Sequence, residues 1–419
     1  MRPRTAAVLV VLLGVLLAGV GAVFLQDGGV TLSERWVSET GTDIRGNHHP
    51  VAAGRIDGEG MVYAPVSAPG GTSDCRLVGL HASNGSTRWS HAVPPANCTL
   101  HAVADPAIAD PDRDGTTEVF AASTTEELLG FDAHTGAVEF RVTLSEYGYT
   151  KPVIADLTGD GRSEIAVVDV SGTLFVYAPD GSLVWERDLG GITNGAPQAG
   201  DFTGDGTLEL AVGTGAGEAV LVDGDGTTVW NRSTWDEAVG WTTSGQADAD
   251  PAPEFVVATT AGTVGVLDGV TGETQWRRDL GTLASVHAFG DGDGDGDPEV
   301  YAGARDSGLR AFDARTGDLE WTTTLTTEGT QMMPPPLLGD LDGDGDPELV
   351  AATNDGLVSV VDPSTGEVLA TYSREQPIYT HPTLADADGD GAVEAYVIYG
   401  DGRVVALGAG TADDPSGAL

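Results

Sequence analysis

The chain has 419 residues, with 64 acids against 20 bases and a formal charge of −44. A surface of that sign repels phosphate and excludes nucleic acid as a partner. Hydrophobic residues make up 40 % and are interleaved with the acids, which excludes a disordered acidic chain and leaves enough apolar material for a core.

At the N-terminus, Arg2 and Arg4 precede Thr5–Leu25, 21 residues without a charge. At about 1.5 Å per residue that run spans a bilayer core. The only small-residue cleavage pattern is Val20-Gly21-Ala22. Residues 1–25 therefore read as an uncleaved transmembrane helix, with a cleaved signal and a secreted protein as the alternative. The basic end stays inside, so residues from 26 onward are expected outside the cell membrane. Cys75 and Cys98 suit an oxidising exterior, where a disulfide would close a short loop; two buried thiols are the alternative. Asn84, Asn97 and Asn231 begin glycosylation sequons.

Beyond the N-terminal run a nine-residue acidic pattern recurs. Its copies begin at positions 110, 156, 201, 246, 291, 340 and 386, in steps of 46, 45, 45, 45, 49 and 46. Each copy lies between short apolar, β-branched runs such as Glu164–Val168 and Leu174–Tyr177. A turn with glycine follows, with an aromatic four residues later: Gly181/Trp185, Gly226/Trp230, Gly272/Trp276, Gly317/Trp321 and Gly136/Phe140. Four strands per roughly 45 residues describe a propeller blade. One further unit, without an acidic loop, opens at His49-Pro50 and closes with Gly85/Trp89, which makes eight. The last unit, from about 381, has three strands, and Thr31–Trp36 resembles an orphan fourth. The expected fold is an all-β, eight-bladed β-propeller over residues 26–408, closed by its N-terminal strand, with a flexible tail over 409–419. Seven blades are the alternative. The repeated tryptophans read as wedges between blades.

The acidic loops follow D-x-D/T-x-D-G-x-x-E. Oxygens at positions 1, 3, 5 and 9 can converge on one cation, and glycine at position 6 permits the reversal. An all-oxygen, carboxylate-rich shell suits a hard cation, Ca²⁺ above all. The predicted ligands are Asp110, Asp112, Asp114 and Glu118; Asp156, Thr158, Asp160 and Glu164; Asp201, Thr203, Asp205 and Glu209. Further copies supply Asp291, Asp293, Asp295 and Glu299; Asp340, Asp342, Asp344 and Glu348; Asp386, Asp388, Asp390 and Glu394. About six calcium sites follow, weaker where Thr158 and Thr203 replace an acid. The copy at Gln246 carries Pro251 in place of glycine and is expected to be metal-free. An acidic turn held by its own Asp hydrogen bonds is the alternative reading.

The loops resemble FG-GAP/VCBS repeats of integrin-like propellers, which implies calcium between blade strands. The turns Asp132-Ala-His-Thr-Gly136 and Asp313-Ala-Arg-Thr-Gly317 resemble repeats of quinoprotein-type (PQQ-like) propellers. Together these resemblances cover residues 30–408. They imply a binding or scaffold module for protein or polysaccharide at the cell surface, with a redox or polysaccharide-lyase enzyme as the alternative. Quinoprotein dehydrogenases carry an adjacent cysteine pair, whereas Cys75 and Cys98 stand 23 apart; no catalytic triad, zinc cluster or phosphate loop is evident. A ligand face is expected opposite the acidic loops, on residues that precede each first strand: His49, Lys151, Trp241 and His381, with His48, Tyr149 and Tyr379 nearby.

The acid enrichment, with Lys151 as the single lysine, resembles proteins of salt-loving archaea. Counterions would screen the self-repulsion. The fold is therefore expected to loosen when molar salt is dialysed to millimolar; an unchanged circular dichroism spectrum would contradict this.

Overall fold

The computed structural model describes residues 30–411. The predicted transmembrane helix lies outside the described residues, as does the tail from residue 412 onward. Among the described residues no helix is long and apolar enough to cross a membrane.

Every strand belongs to one of eight four-stranded antiparallel sheets. Blade 1 comprises Ala52–Ile56, Glu59–Val66, Arg76–His81 and Thr87–Ala92, hydrogen-bonded in that order. Blades 2 to 7 repeat this order, with first strands Ala107–Ala109, Val153–Ala155, Gln198–Gly200, Val239–Gly245, Ala284–Gly290 and Leu337–Gly339. In blade 8, Thr383–Ala385, Glu394–Ile398 and Val404–Thr411 are completed by Val30–Val37 as the outer strand. The first strands contact one another in sequence, and that of blade 8 contacts that of blade 1. The ring is therefore closed, with eight blades rather than seven.

Closure is antiparallel, with Val30 opposite Thr411 and Trp36 opposite Ala406. Thr31 and Ser33 hydroxyls add bonds to the Gly410 and Gly408 carbonyls. The last strand thus runs three residues past the expected end at 408, because the N-terminal strand supplies it with partners. Pairing the two ends of the chain in one sheet removes the free edge that an open ring would expose.

The sequence pattern follows from position within a blade. Second strands are sandwiched between blades on both faces and are largely apolar after their leading glutamate; all five residues of Glu164–Val168 are buried. Fourth strands meet solvent and are mixed, as in Leu183–Asp188. Blade 1 needs no acidic loop because Asp57 and Gly58, both at positive φ, turn its first hairpin in two residues.

Neighbouring blades are joined by a repeated contact. The indole N–H of each fourth-strand tryptophan donates to a carbonyl in the last turn of the next blade: Trp36 to Ala82, Trp89 to Ala133, Trp185 to Gly224, Trp230 to Gly269, Trp276 to Ala314 and Trp321 to Pro363. These bonds span 2.5–2.8 Å. The glycine of that turn has a second duty besides its positive φ. A Cβ on Gly272 would lie 2.7 Å from the Trp230 ring, and one on Gly317 would lie 2.5 Å from Trp276. The four-residue spacing of glycine and tryptophan therefore marks one blade's seat and its own plug for the next. Two joints differ. Phe140 lacks the N–H, and blade 7 has Ala370 at the position. There the Tyr372 hydroxyl bonds the Glu34 carboxylate, with Arg374 at 3.5 Å.

Replacing Trp230, buried at the joint of blades 4 and 5, with alanine is expected to cost about 3–5 kcal/mol in urea unfolding. A loss under about 1 kcal/mol would show that the joints are not where the ring's stability lies.

Candidate functional site

Each first strand runs from one end of the ring to the other, so its two flanking loops lie at opposite ends. The acidic loops leave its C-terminal end. The blade-to-blade connections enter its N-terminal end and surround a mouth.

At the first end, the six complete loops share one geometry. The position-6 amide donates to the first aspartate, as Gly115 to Asp110 at 3.2 Å and Gly345 to Asp340 at 3.0 Å. The position-7 amide donates to the third acid, as Thr116 to Asp114 at 2.7 Å. In five of the six the buried glutamate at position 9, first residue of the next strand, accepts from the start of the loop, as Leu341 to Glu348 at 2.9 Å and Gly292 to Glu299 at 3.0 Å; in the first loop Pro111 has no N–H to give and Glu118 lacks this bond. These bonds curl the chain and gather its carboxylates. Oxygens of Asp110, Asp112 and Glu118 lie within 4.8 Å of one another, as do those of Asp201, Asp205 and Glu209, and of Asp291, Asp293 and Asp295.

Internal hydrogen bonds leave part of the shell unpaired. Asp110 Oδ1, Glu118 Oε2 and Asp156 Oδ1 are buried and, among the described residues, have no hydrogen-bond partner. Electrostatics reflects the crowding. Desolvation, then Asp112, Asp110 and Asp114, raises Glu118 to about 8. Desolvation leads likewise at Glu299, Glu348 and Glu394, each raised to about 7 with help from the loop aspartates. A buried carboxylate among like charges favours its neutral form unless a cation joins it. In the two threonine loops the hydroxyl donates to position 9 instead, Thr158 to Glu164 at 3.1 Å and Thr203 to Glu209 at 3.2 Å. The degenerate copy still brings Asp248 and Asp250 near Asp268 of a neighbouring turn, a grouping that sequence spacing did not reveal.

At the other end the mouth forms a cavity of about 680 Å³. His49, Lys151, Trp241 and His381 all line it, although they come from four different blade entrances, and His48, Tyr149 and Tyr379 line it too. Of the other aligned positions, Asp105 and Ala196 reach the cavity. Val286 instead belongs to the core between blades, and Pro335 is buried. Two lining histidines were not read from the sequence. His287 follows Val286 in a strand whose register shifts between Val286 and Phe289, which turns the histidine to the channel. His101 sits in the connection between blades 1 and 2, outside the repeat alignment.

Histidines dominate one wall. His49 is 3 % exposed and its Nδ1 lies 2.6 Å from Asp105 Oδ1. His48 places Nδ1 2.6 Å from the Gly46 carbonyl and Nε2 2.8 Å from His101 Nδ1. The Tyr149 ring stands 5.0 Å from that of His49. Burial, then His49, lowers His48 to about 4, and the same causes lower His101. Elsewhere in the mouth the His287 and His381 rings are 5.0 Å apart, and removal from bulk water lowers both. Cys75 and Cys98 are disulfide-bonded, so the bridge, not the free-thiol alternative, is found; it ties the residue just before the third strand of blade 1 to the connection that carries His101.

A family model described as outer membrane protein assembly factor BamB matches residues 26–158 and 215–414. An FG-GAP-like repeat model matches residues 148–212. Among curated proteins none matches by sequence. Similar solved structures include BamB from Moraxella catarrhalis, 16 % identical with a TM-score of 0.61, over 90 % of this chain and 97 % of that one. The V. cholerae biofilm matrix protein Bap1 is 14 % identical with a TM-score of 0.69, over 92 % of each chain. BBS1N, solved in complex with ARL6DN, is 14 % identical with a TM-score of 0.52, over 72 % of this chain and 90 % of that one. At these identities the likeness is one of fold.

Proposed function

The chain belongs to the propeller family described as outer membrane protein assembly factor BamB, and on that premise we propose that it is a calcium-stabilised binding platform. An N-terminal helix holds it to the cell membrane, the ring lies outside the cell, and the histidine-lined mouth takes a protein or polysaccharide. The observation that carries this reading is the division between the ends. One end repeats the same loop six times, as a scaffold does. The other differs at every blade and forms a concave site with Trp241, Tyr149 and Tyr379 beside Lys151 and histidines. Concave, aromatic-lined sites with a few polar groups are where ligands bind. The solved relatives point the same way: one is a biofilm matrix protein and one was captured with a protein partner.

Calcium belongs to the proposal because the loops gather oxygens that their own hydrogen bonds do not use. The unpaired buried oxygens of Asp110, Glu118 and Asp156 support it. Each ion would neutralise carboxylates that otherwise repel across a hairpin, so binding would add to folding stability.

The full chain in detergent and high salt is expected to hold about six calcium ions, and chelation is expected to lower its unfolding midpoint by ten degrees or more, on the order of several kcal/mol of linked binding. Absence of calcium, with no shift, would leave the acids as solvating groups only.

Binding is tested by screening the full chain against polysaccharides and exported proteins of its own cell surface. Lys151→Ala with His381→Ala is expected to weaken the interaction found at least tenfold without moving the unfolding midpoint. Unchanged affinity would move the binding surface away from the mouth.

A further inference from the structure

Three imidazoles meet at the mouth in an arrangement that their hydrogen bonds do not explain. His49 Nδ1 faces the Asp105 carboxylate at 2.6 Å, an acceptor, so the neutral ring holds its proton on Nδ1 and presents its lone pair at Nε2. That Nε2 is buried and, among the described residues, has no partner. The residue is 3 % exposed, so water does not readily serve it. His48 repeats the pattern: its Nδ1 donates to the Gly46 carbonyl at 2.6 Å, which leaves its Nε2 as a lone pair. His101 Nδ1 lies 2.8 Å from that nitrogen. One ring nitrogen from each of the three lies within 4.8 Å of the others.

An imidazole whose far N–H is held by a carboxylate or a backbone carbonyl, and whose near nitrogen is bare, is oriented as a metal ligand. Two of the three have this support. The third rides on a fixed connection: Cys98 is bridged to Cys75, and the Ala102 carbonyl accepts from the Thr124 amide at 3.2 Å. Metal–nitrogen bonds of about 2.0–2.1 Å in tetrahedral geometry set neighbouring nitrogens roughly 3.3 Å apart. The His48–His101 pair would open by about half an ångström as the ion replaces their shared proton.

We propose that His48, His49 and His101 form a site for a divalent transition-metal ion of the Zn²⁺ class, with Asp105 as a positioning residue and the fourth coordination position open to the cavity. Nitrogen ligands suit zinc, copper and nickel rather than calcium. The chain would then separate two metal chemistries, with hard cations on carboxylates at one end and a borderline cation on imidazoles at the other. A three-histidine site with an open position can accept a ligand oxygen or an acidic side chain from the cavity. This inference stands apart from the calcium reading, and although it shares the mouth with the partner reading, the metal titration tests it without any partner present.

The test is titration of the full chain with Co²⁺, with calcium saturating to occupy the acidic loops. One equivalent is expected to give the intense visible bands of four-coordinate, nitrogen-bound cobalt, and one equivalent of Zn²⁺ is expected to abolish them. Carboxylate loops would give only the faint spectrum of six-coordinate cobalt. His101→Ala, at a half-buried position on a connection, and His49→Gln are each expected to eliminate the bands. Asp105→Asn is expected to weaken affinity about 10–100-fold. Calcium content and unfolding midpoint should remain those of the parent in His101→Ala. Absence of four-coordinate bands in the parent chain overturns the proposal, as does their persistence in His101→Ala. Either result leaves the calcium and binding readings where they were.

Discussion

The architecture depends on an indole seated against a glycine of the next blade. A single four-stranded blade buries little by itself. Its second and third strands are apolar on both faces, so it requires a neighbour on each side. The tryptophan supplies area and direction together: its ring covers the turn glycine and its N–H ends on a carbonyl in that turn, at 2.5–2.8 Å. Because donor and acceptor are fixed relative to each blade's own strands, the bond sets the angle between blades at the six joints that have it, and Phe140 fills the same seat without the bond between blades 2 and 3. Eight equal angles close a ring, and closure needs Trp36, which the N-terminal strand brings to the last blade. The joint between blades 7 and 8 lacks the indole and uses the Tyr372–Glu34–Arg374 cluster, polar and nearer the rim.

Electrostatics then divides the two ends. Burying a glutamate away from water beside the loop aspartates is unfavourable on its own, and the raised Glu118, Glu299, Glu348 and Glu394 record that cost. The loops nonetheless adopt one shape, because backbone amides at positions 6 and 7 donate hydrogen bonds to the aspartates and so offset part of the repulsion. Those bonds use only part of the oxygens available. The lining of the mouth instead mixes imidazoles, phenols and an indole with Arg45, Asp105 and Lys151. Two ends of the same strands therefore offer different chemistry to whatever approaches them.

Much of this was legible in the sequence because it repeats. The seven loop starts gave the blade period, and the orphan segment Thr31–Trp36 gave the closure. The glycine–aromatic spacing was visible, but its meaning was not: the acceptor of each indole lies in the following blade, some forty residues on, and no local pattern names it. The mouth was legible only where the repeat alignment held. It placed His49, Lys151, Trp241 and His381 around one cavity, and failed at blade 6, where the irregular register of Ala284–Gly290 moves the channel-facing position from Val286 to His287. His101 was invisible for a different reason. It belongs to a connection shaped by the disulfide, not to the repeat.

That contrast bears on how a repeated scaffold acquires a site. Loop residues within the repeat are tied to the blade geometry, so a change there is felt at the joint it serves. The connections at the mouth carry no such duty. They begin after the fourth strand and end before the first, and their backbone is anchored by local bonds such as Asn97 to the Thr124 carbonyl at 2.7 Å. A connection can therefore gain a histidine, a tyrosine or a disulfide without altering the angle between blades. Eight connections converge on one axis, so side chains far apart in sequence, such as His48 and His101, become neighbours for geometric reasons alone. The ring fixes where the mouth is, and the connections decide what it can bind.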